Sequence, residues 1–379
     1  MIMRLLYFIP LLSTVGGLER TLVDKANYLV GKGHDVMFMT YEHEGLLAYK
    51  IDSRIMHVDI NCHFFSLYKH PIYRRFFDVL KLKHLFRTKL KHLLKQFRPD
   101  VIVVTIPNTE NFICDLFAVA KGIPVVVESH LAKGYQVVKR GITEKWLYSF
   151  YKPLNAIRKA KLLIALTKGD SDCWKNLKVG QIKIIPNPLT YYPVCLPSVK
   201  KFENRIICVG RLTPQKRFDR LMDAFSLIAY KYPLWQIDIF GEGELKETLL
   251  HYIDELGMQK RIRIMPPTQE IYSEYQLSQF LVLCSDFEGF GMVIVEAMAC
   301  GIPVVATDCP YGPSEIIEDG KTGLLAKMDA RNLAEKMEWM MTHEKDRKVM
   351  GLNAYHAAAR YQKEVIIPQW EECYRSVIV

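Results

Sequence analysis

The stretch that decides the fold is Ser285–Val305, SDFEGFGMVIVEAMACGIPVV. The apolar run FLVLCS leads into it and reads as a buried strand ending at Ser285. A loop follows, carrying Glu288, Gly289, Phe290 and Gly291. A helix begins near Gly291, and IPVV opens the next strand. This strand–glycine loop–helix–strand unit puts free N–H groups at a helix N-terminus, beyond the carboxyl ends of parallel strands. Open α/β sheets bind their ligands there. Glu288 lies on the loop and Glu296 within the helix. Both can face one cleft, and a carboxylate accepts two hydroxyl hydrogen bonds at once, as vicinal sugar diols require.

The same rhythm extends in both directions. RLLYFI, HDVMFMT, PDVIVVT, IPVVVES, KLLIALT and IKIIP alternate with helical patterns in the first half. RIICVG, WQIDIFG, RIRIM, FLVLCS and IPVVATD do so in the second. Continuously apolar strands with intervening helices imply parallel sheets covered on both faces. The expectation is α/β, with two doubly wound Rossmann-like domains. The boundaries expected are 1–187 for the first domain, 188–203 for a linker and 204–360 for the second. Residues 361–379 form a terminal helix. The linker lies in a run with Pro186, Pro188, Pro193 and Pro197 and no helical period.

Composition sets limits. Half of the 379 residues are apolar and 24% are charged, as in a soluble globular protein. No apolar run reaches the length of a membrane span. The nine cysteines form no C-x-x-C pair, which argues against a disulfide framework or zinc site and for a reducing compartment. The net charge of +10 favours anionic partners without choosing among them.

The opening run, MIMRLLYFIPLLSTVGG, has two readings, a signal peptide or a first strand entering a glycine turn. Pro10 interrupts the apolar stretch, no A-x-A-like site follows, and Leu18, Leu22, Ala26 and Leu29 mark a helical face beyond it. The strand reading is preferred. Gly16-Gly17 either lets a phosphate approach the helix N-terminus or supplies a tight turn needing positive φ. In VGRLTPQKRFDRLMDAF, Arg211 and Lys216 sit between a strand and a helix, where a fork and a point charge suit a diphosphate.

These stretches, with IFGEGEL, GPSEIIEDGKTGLL, Glu128–His130 (ESH) and Ile185–Pro188 (IPNP), resemble the retaining glycosyltransferases of family 4 across essentially the whole chain. The resemblance implies the GT-B architecture, two facing Rossmann-like domains with a cleft between them. Arg211 and Lys216 would clamp the diphosphate of a nucleotide-sugar. Glu288, Gly289, Phe290 and Gly291 would hold the donor sugar and phosphates, and Glu296 the ribose. Gly17 would approach the donor from the opposite domain, and His130 would face the donor sugar near the reaction centre. Pro266–Ile271 would hold the base, and the terminal helix, residues 361–379, would cross back to pack on the first domain. The implied reaction moves a hexose or N-acetylhexosamine from a nucleotide-sugar, by expectation UDP-linked, to a glycan acceptor in surface polysaccharide synthesis. No metal or other cofactor is expected. A nucleotide-sugar epimerase of the same architecture and a non-catalytic nucleotide-sugar-binding subunit are the alternatives. The intact charged residues and the EGFG-to-Glu296 block argue against both. Nucleic acid is not an expected partner, because no reading motif is present.

Two further features bear on function. Asp170-Ser171-Asp172 spells a metal–diphosphate motif of another glycosyltransferase fold, but Thr167 three residues before Asp170 reads as a helix cap. Ser66–Arg98 carries ten Lys or Arg, three His and one acid, Asp78. Val79, Leu82, Phe86, Leu90, Leu93 and Phe97 line one helical face, with Arg87, Lys91 and Lys95 across from it. Such a helix either covers a sheet or lies on an anionic membrane. The second reading implies a polyprenyl-diphosphate-linked acceptor and a peripheral position on the cytoplasmic membrane face.

Overall fold

The computed structural model describes residues 1–64, 66, 72–106, 109–130, 156–176, 178–196 and 204–378. It divides into two compact units, Met1–Thr190 with Lys363–Val379, and Tyr191–Gln362.

The first unit holds a seven-stranded sheet in the order β3-β2-β1-β4-β5-β6-β7. Its strands are β1 (Arg4–Phe8), β2 (Asp35–Thr40), β3 (Met56–Asp59), β4 (Val101–Ile106), β5 (Val125–Ser129), β6 (Leu162–Ala165) and β7 (Gln181–Ile184). All pairings are parallel. The opening run is therefore the strand it was expected to be. β1 lies between β2 and β4, with Leu5 opposite both Val36 and Val101. Every residue of β4 and β5 is buried, so these strands need no polar alternation. The helix Ile72–Phe97 docks through Phe86, which stacks on Phe112 at 4.3 Å and tilts against Phe8 at 5.6 Å.

The second unit holds a six-stranded parallel sheet, order β10-β9-β8-β11-β12-β13. The strands are β8 (Arg205–Val209), β9 (Gln236–Phe240), β10 (Ile262–Met265), β11 (Phe280–Leu283), β12 (Val304–Thr307) and β13 (Gly323–Ala326). Its core joins Leu221 and Phe225 from one helix to Ile237 and Phe280 from the sheet and Leu333 and Met337 from another helix.

Two strands were not anticipated. β3 is an edge strand with Met56 and Val58 exposed, so it lacks the apolar run that marks a buried strand. β13 is four residues long and opens with Gly323, where a Cβ would lie 2.4 Å from the Val304 carbonyl oxygen. The terminal helix runs Lys363–Ser376 and packs with the first unit.

The proline-rich connection is packed on both of its described sides. Thr190 donates to Asp24 at 2.6 Å within the first unit. Within the second unit, Tyr192 stacks on Tyr355 at 4.9 Å, and Leu196 fills the space over Gly301. Residues 197–203 of the expected linker lie outside the described residues.

Candidate active site

In the second unit β8 is flanked by β9 on one side and β11 on the other. The chain order therefore switches direction at β8. Loops leaving the carboxyl ends of β8 and β11 meet at this switch point, the usual ligand position in such sheets. The two loops are Gly210–Arg217 and Ser285–Gly291, which hold the residues singled out from the sequence.

The structure brings Lys216 and Glu288 together. Lys216 Nζ lies 2.6 Å from Glu288 Oε1, and the Ser285 hydroxyl donates to the same oxygen at 2.6 Å. Glu288 is buried and Lys216 half-buried. The lysine stem crosses Gly210, where an added Cβ would meet Lys216 Cε at 3.3 Å. The loops are also tied by backbone: the Asp286 N–H donates to the Gln215 carbonyl at 2.9 Å, and the Gln215 side-chain amide to the Phe287 carbonyl at 2.8 Å.

The chain does not pass straight from Lys216 into the helix. Pro214–Lys216 form a 3₁₀ turn, Arg217 is left-handed at φ 50°, and the helix runs Phe218–Ile228. That kink separates two neighbouring cations. Arg217 turns away to Asp219 and Asp286, while Lys216 reaches Glu288. Arg220, buried, holds Asp286 at 2.7 Å and the Cys284 carbonyl at 2.9 Å. Sequence reading missed Arg217 and Arg220, which brace the loop. Arg211 is exposed.

Gly291 starts the helix Met292–Ala299 at φ 99°, a conformation that favours glycine. Phe290 is buried against Tyr361 at 5.5 Å. Gly312 makes room for it: a Cβ there would stand 2.1 Å from the Phe290 carbonyl oxygen. Glu296 is buried, and the Tyr275 hydroxyl donates to its Oε2 at 3.1 Å. Tyr275 carried no sequence signal. Of Pro266–Ile271, Pro266–Glu270 form the loop after β10 and Ile271 opens the helix Ile271–Gln276, with Pro266 and Pro267 exposed and Thr268 Oγ1 accepting from the Glu270 N–H at 3.0 Å. The FGEG turn is steric in origin. A Cβ at Gly241 would lie 2.0 Å from the Gly210 carbonyl oxygen, so it sets the approach of the β8 loop. Glu315 is exposed in the short helix Pro313–Ile316.

In the first unit, Gly16 is extended (φ −156°) and Gly17 opens the helix Gly17–Gly31. Neither has positive φ, so the tight-turn explanation fails. A Cβ at Gly16 would meet Glu19 Oε2 at 2.5 Å. Gly17 is exposed.

His130 follows β5. Its Nε2 lies 2.9 Å from Glu128 Oε2, and Lys25 Nζ lies 2.6 Å from Glu128 Oε1. Lys25 and Glu128 are fully buried. Burial works to raise the Glu128 carboxyl, but the Lys25 ammonium and then His130 outweigh it and hold it down at about 2. Burial pulls His130 below its ordinary value against the pull of Glu128.

The Asp170-Ser171-Asp172 triplet behaves as a cap. Thr167 Oγ1 accepts from the Asp170 N–H at 3.2 Å, Asp170 accepts from the Trp174 indole, and Asp172 pairs with Lys175.

On the basic helix Ile72–Phe97 the apolar face is buried as expected, but the basic face needs correction. Arg87 is bound to Asp115 at 2.6 Å, beside Lys83 at 2.9 Å from the same carboxylate. Only Lys91 and Lys95 of the three predicted cations face solvent unbraced by that acid. They share the outer side with exposed Phe77, Leu80 and Leu85. Residues 67–71 of the basic stretch lie outside the described residues.

Comparison with known proteins follows the same division. The family model described as Glycosyltransferase Family 4 matches residues 15–190, and that described as Glycosyl transferases group 1 matches residues 197–357. An uncharacterized glycosyltransferase of Haemophilus influenzae is 25% identical over 368 residues, 96% of this chain and 98% of that protein. A Campylobacter jejuni protein named GalNAc-alpha-(1->4)-GalNAc-alpha-(1->3)-diNAcBac-PP-undecaprenol alpha-1,4-N-acetyl-D-galactosaminyltransferase is 24% identical over 373 residues, 97% of each chain. The fold matches a TarM variant from S. aureus, solved with fondaparinux, alpha-GlcNAc-glycerol and UDP, with a TM-score of 0.81. That match has 16% identity over 98% of this chain and 100% of that one. With one model over the first unit, the other over the second and this fold over nearly the whole length, the chain belongs to the family 4 glycosyltransferases of GT-B fold.

Proposed function

We propose that this glycosyltransferase is a retaining, metal-independent hexosyltransferase. It moves a hexose or N-acetylhexosamine from a UDP-sugar to a hydroxyl of a lipid-linked glycan in surface polysaccharide synthesis. The observation that carries this reading is the Lys216–Glu288–Ser285 cluster beside Gly291, at the switch point of the second sheet. An ammonium has three donors. Glu288 takes one, and the others are available to a phosphate. UDP in the TarM structure and the polyprenyl-diphosphate glycan in the Campylobacter protein's name support the donor and acceptor classes.

The chemistry follows from charge. The bond between the anomeric carbon and the β-phosphate oxygen breaks, and its electron pair goes to the phosphate. Lys216, Arg211 and helix N–H groups stabilise that charge, as cationic side chains in place of a metal. The acceptor oxygen attacks the same face of an oxocarbenium-like sugar, and its proton passes to the departing phosphate oxygen. Glu288 and Glu296 accept hydroxyls of the donor. In a thermal-shift panel of nucleotide-sugars, UDP-linked hexoses and N-acetylhexosamines are expected to raise the melting temperature. A GDP- or ADP-linked sugar giving the larger shift would reassign the donor.

The reading includes peripheral attachment to the cytoplasmic membrane face. Among the described residues no helix is long and apolar enough to cross a membrane. Phe77, Leu80 and Leu85, exposed alongside Lys81, Lys91 and Lys95, form a surface that suits an anionic bilayer. Each cation there contributes about 1 kcal/mol. Reversing Lys81, Lys91 and Lys95 to Glu is expected to weaken binding to phosphatidylglycerol vesicles at least ~100-fold at low salt. Equal binding in sedimentation would remove membrane attachment from the proposal.

A further inference from the structure

Glu128 is the meeting point of four segments of the first unit. Lys25, from the helix Gly17–Gly31, places Nζ 2.6 and 2.7 Å from its two oxygens. His130 Nε2 lies 2.9 Å from Oε2. The hydroxyl of Tyr374, from the terminal helix, donates to Oε1 and accepts from Tyr7 of β1 at 3.2 Å. Trp370, one turn earlier, lies under Lys25 with Nζ 3.8 Å from the ring centre. Its ring is parallel to His130 within 3° at 6.4 Å. Three side chains, Lys25, His130 and Tyr374, bond this one carboxylate, and of the three His130 keeps a ring nitrogen unused. Its Nδ1 is buried and has no hydrogen-bond partner among the described residues.

An ionised carboxylate only accepts hydrogen bonds. The ring nitrogen facing Glu128 must therefore carry the proton. In the neutral ring the other nitrogen, Nδ1, is then left with a lone pair. Lys25 keeps the carboxylate ionised, and burial, with the Lys25 charge a smaller contribution, disfavours a second proton on the imidazole. The ring is fixed in one tautomer and one plane, with an acceptor held ready in a site where an acceptor without a donor is unfavourable.

We propose that Glu128 is a positioning residue, locked by Lys25, that fixes the tautomer of His130 so that Nδ1 accepts a hydrogen bond from a hydroxyl of the sugar substrate. This rests on the glycosyltransferase reading for the substrate, but not for the tautomer. The competing explanation is a staple: the ion pair would hold the helix Gly17–Gly31 to β5, with Tyr374 adding the terminal helix, and the protonation of His130 would be incidental.

The two are separated by the double variant Lys25→Met/Glu128→Gln, which removes both charges together and so avoids a buried unpaired ion. A glutamine can present either its oxygen or its NH₂ to the ring, so it no longer dictates the tautomer. The measurement is a long-range ¹H–¹⁵N spectrum of histidine-labelled protein, with the His130 signals assigned by their loss in His130→Gln. Wild-type His130 is expected to show a protonated Nε2 and an unprotonated Nδ1, and the double variant a mixture. Turnover of UDP-glucose and UDP-N-acetylglucosamine is read in parallel. The double variant is expected to lose about 10-fold in kcat, the scale of one substrate hydrogen bond, with little change in KM. Combining it with His130→Gln is expected to cost no more than His130→Gln alone. A protonated Nδ1 in the wild type, an unchanged tautomer in the double variant, or wild-type kcat in the double variant would each overturn the proposal. If the wild type turns over neither donor, the donor assignment fails and the spectrum alone decides the matter.

Discussion

Replacing Lys216 with alanine is expected to lower kcat by about 10²–10³, the loss seen when one preorganised donor to a developing anion is removed. In the free protein Lys216 is oriented by Glu288 and by its passage over Gly210. The ammonium is therefore in place before the donor arrives and needs little reorganisation during the reaction. The substitution leaves Glu288 buried with the Ser285 hydroxyl still donating to it. The folded state should survive with a loss of about 1–3 kcal/mol. The variant Lys216→Ala/Glu288→Gln removes the leftover charge and serves as the control for stability. Glu288→Ala is expected to lower turnover as well, because it removes both the orientation of Lys216 and an acceptor for the donor sugar. Unchanged turnover in Lys216→Ala and Glu288→Ala at saturating acceptor would show that the site is misplaced.

The largest effect on stability is expected at Lys25. Lys25→Met leaves Glu128 fully buried without its principal counter-ion, and breaking such a pair from one side costs about 3–5 kcal/mol. For a unit of this size the melting temperature should fall by on the order of 10 °C. The pH dependence should change with it. In the wild type the Glu128 carboxyl is held down at about 2. A depressed carboxyl contributes stability that is present above its ordinary range near 4 and is lost as pH falls toward the folded value. Without Lys25 the burial that opposes ionisation dominates, and the carboxyl moves above its ordinary value. The variant should then gain stability on acidification from neutral pH, over a range in which the wild type does not. Thermal melts between pH 4 and 7 read both the offset and the slope.

How far the sequence foretold this molecule depends on which physical signal each residue leaves. Buried parallel strands leave continuous apolar runs, so β1, β4, β5, β8 and β11 were legible, while the exposed edge strand β3 was not. Gly291 was legible because a glycine between a strand and a helix has few other uses, and it does adopt positive φ. Gly16 and Gly17 look alike in sequence, yet neither is left-handed. Lys216 and Glu288 were singled out separately, and their pairing appears only in the fold. Arg87 was misjudged because its partner, Asp115, lies on another helix and is buried inside an apolar run, ENFICDLFAV. Lys25 follows the same logic. It lies three residues after Leu22 and four before Leu29, within the apolar stripe of its helix, and Glu128 interrupts the apolar strand VVVES. A lysine in a buried stripe and a glutamate in a buried strand each demand a counter-charge. Sequence reading took Glu128 only as part of ESH and passed over Lys25, so the pair emerged only in the fold. Tyr275 on Glu296 left no such trace.

The central claim is that the β8 and β11 loops hold the diphosphate of a UDP-sugar through Lys216. Calorimetric titration of UDP into the wild type and into Lys216→Ala tests it most directly. The account predicts binding to the wild type that weakens about 10-fold or more in the variant, consistent with the loss of one charge-assisted contact of about 1.5–3 kcal/mol. UDP binding with equal affinity to both proteins would contradict it.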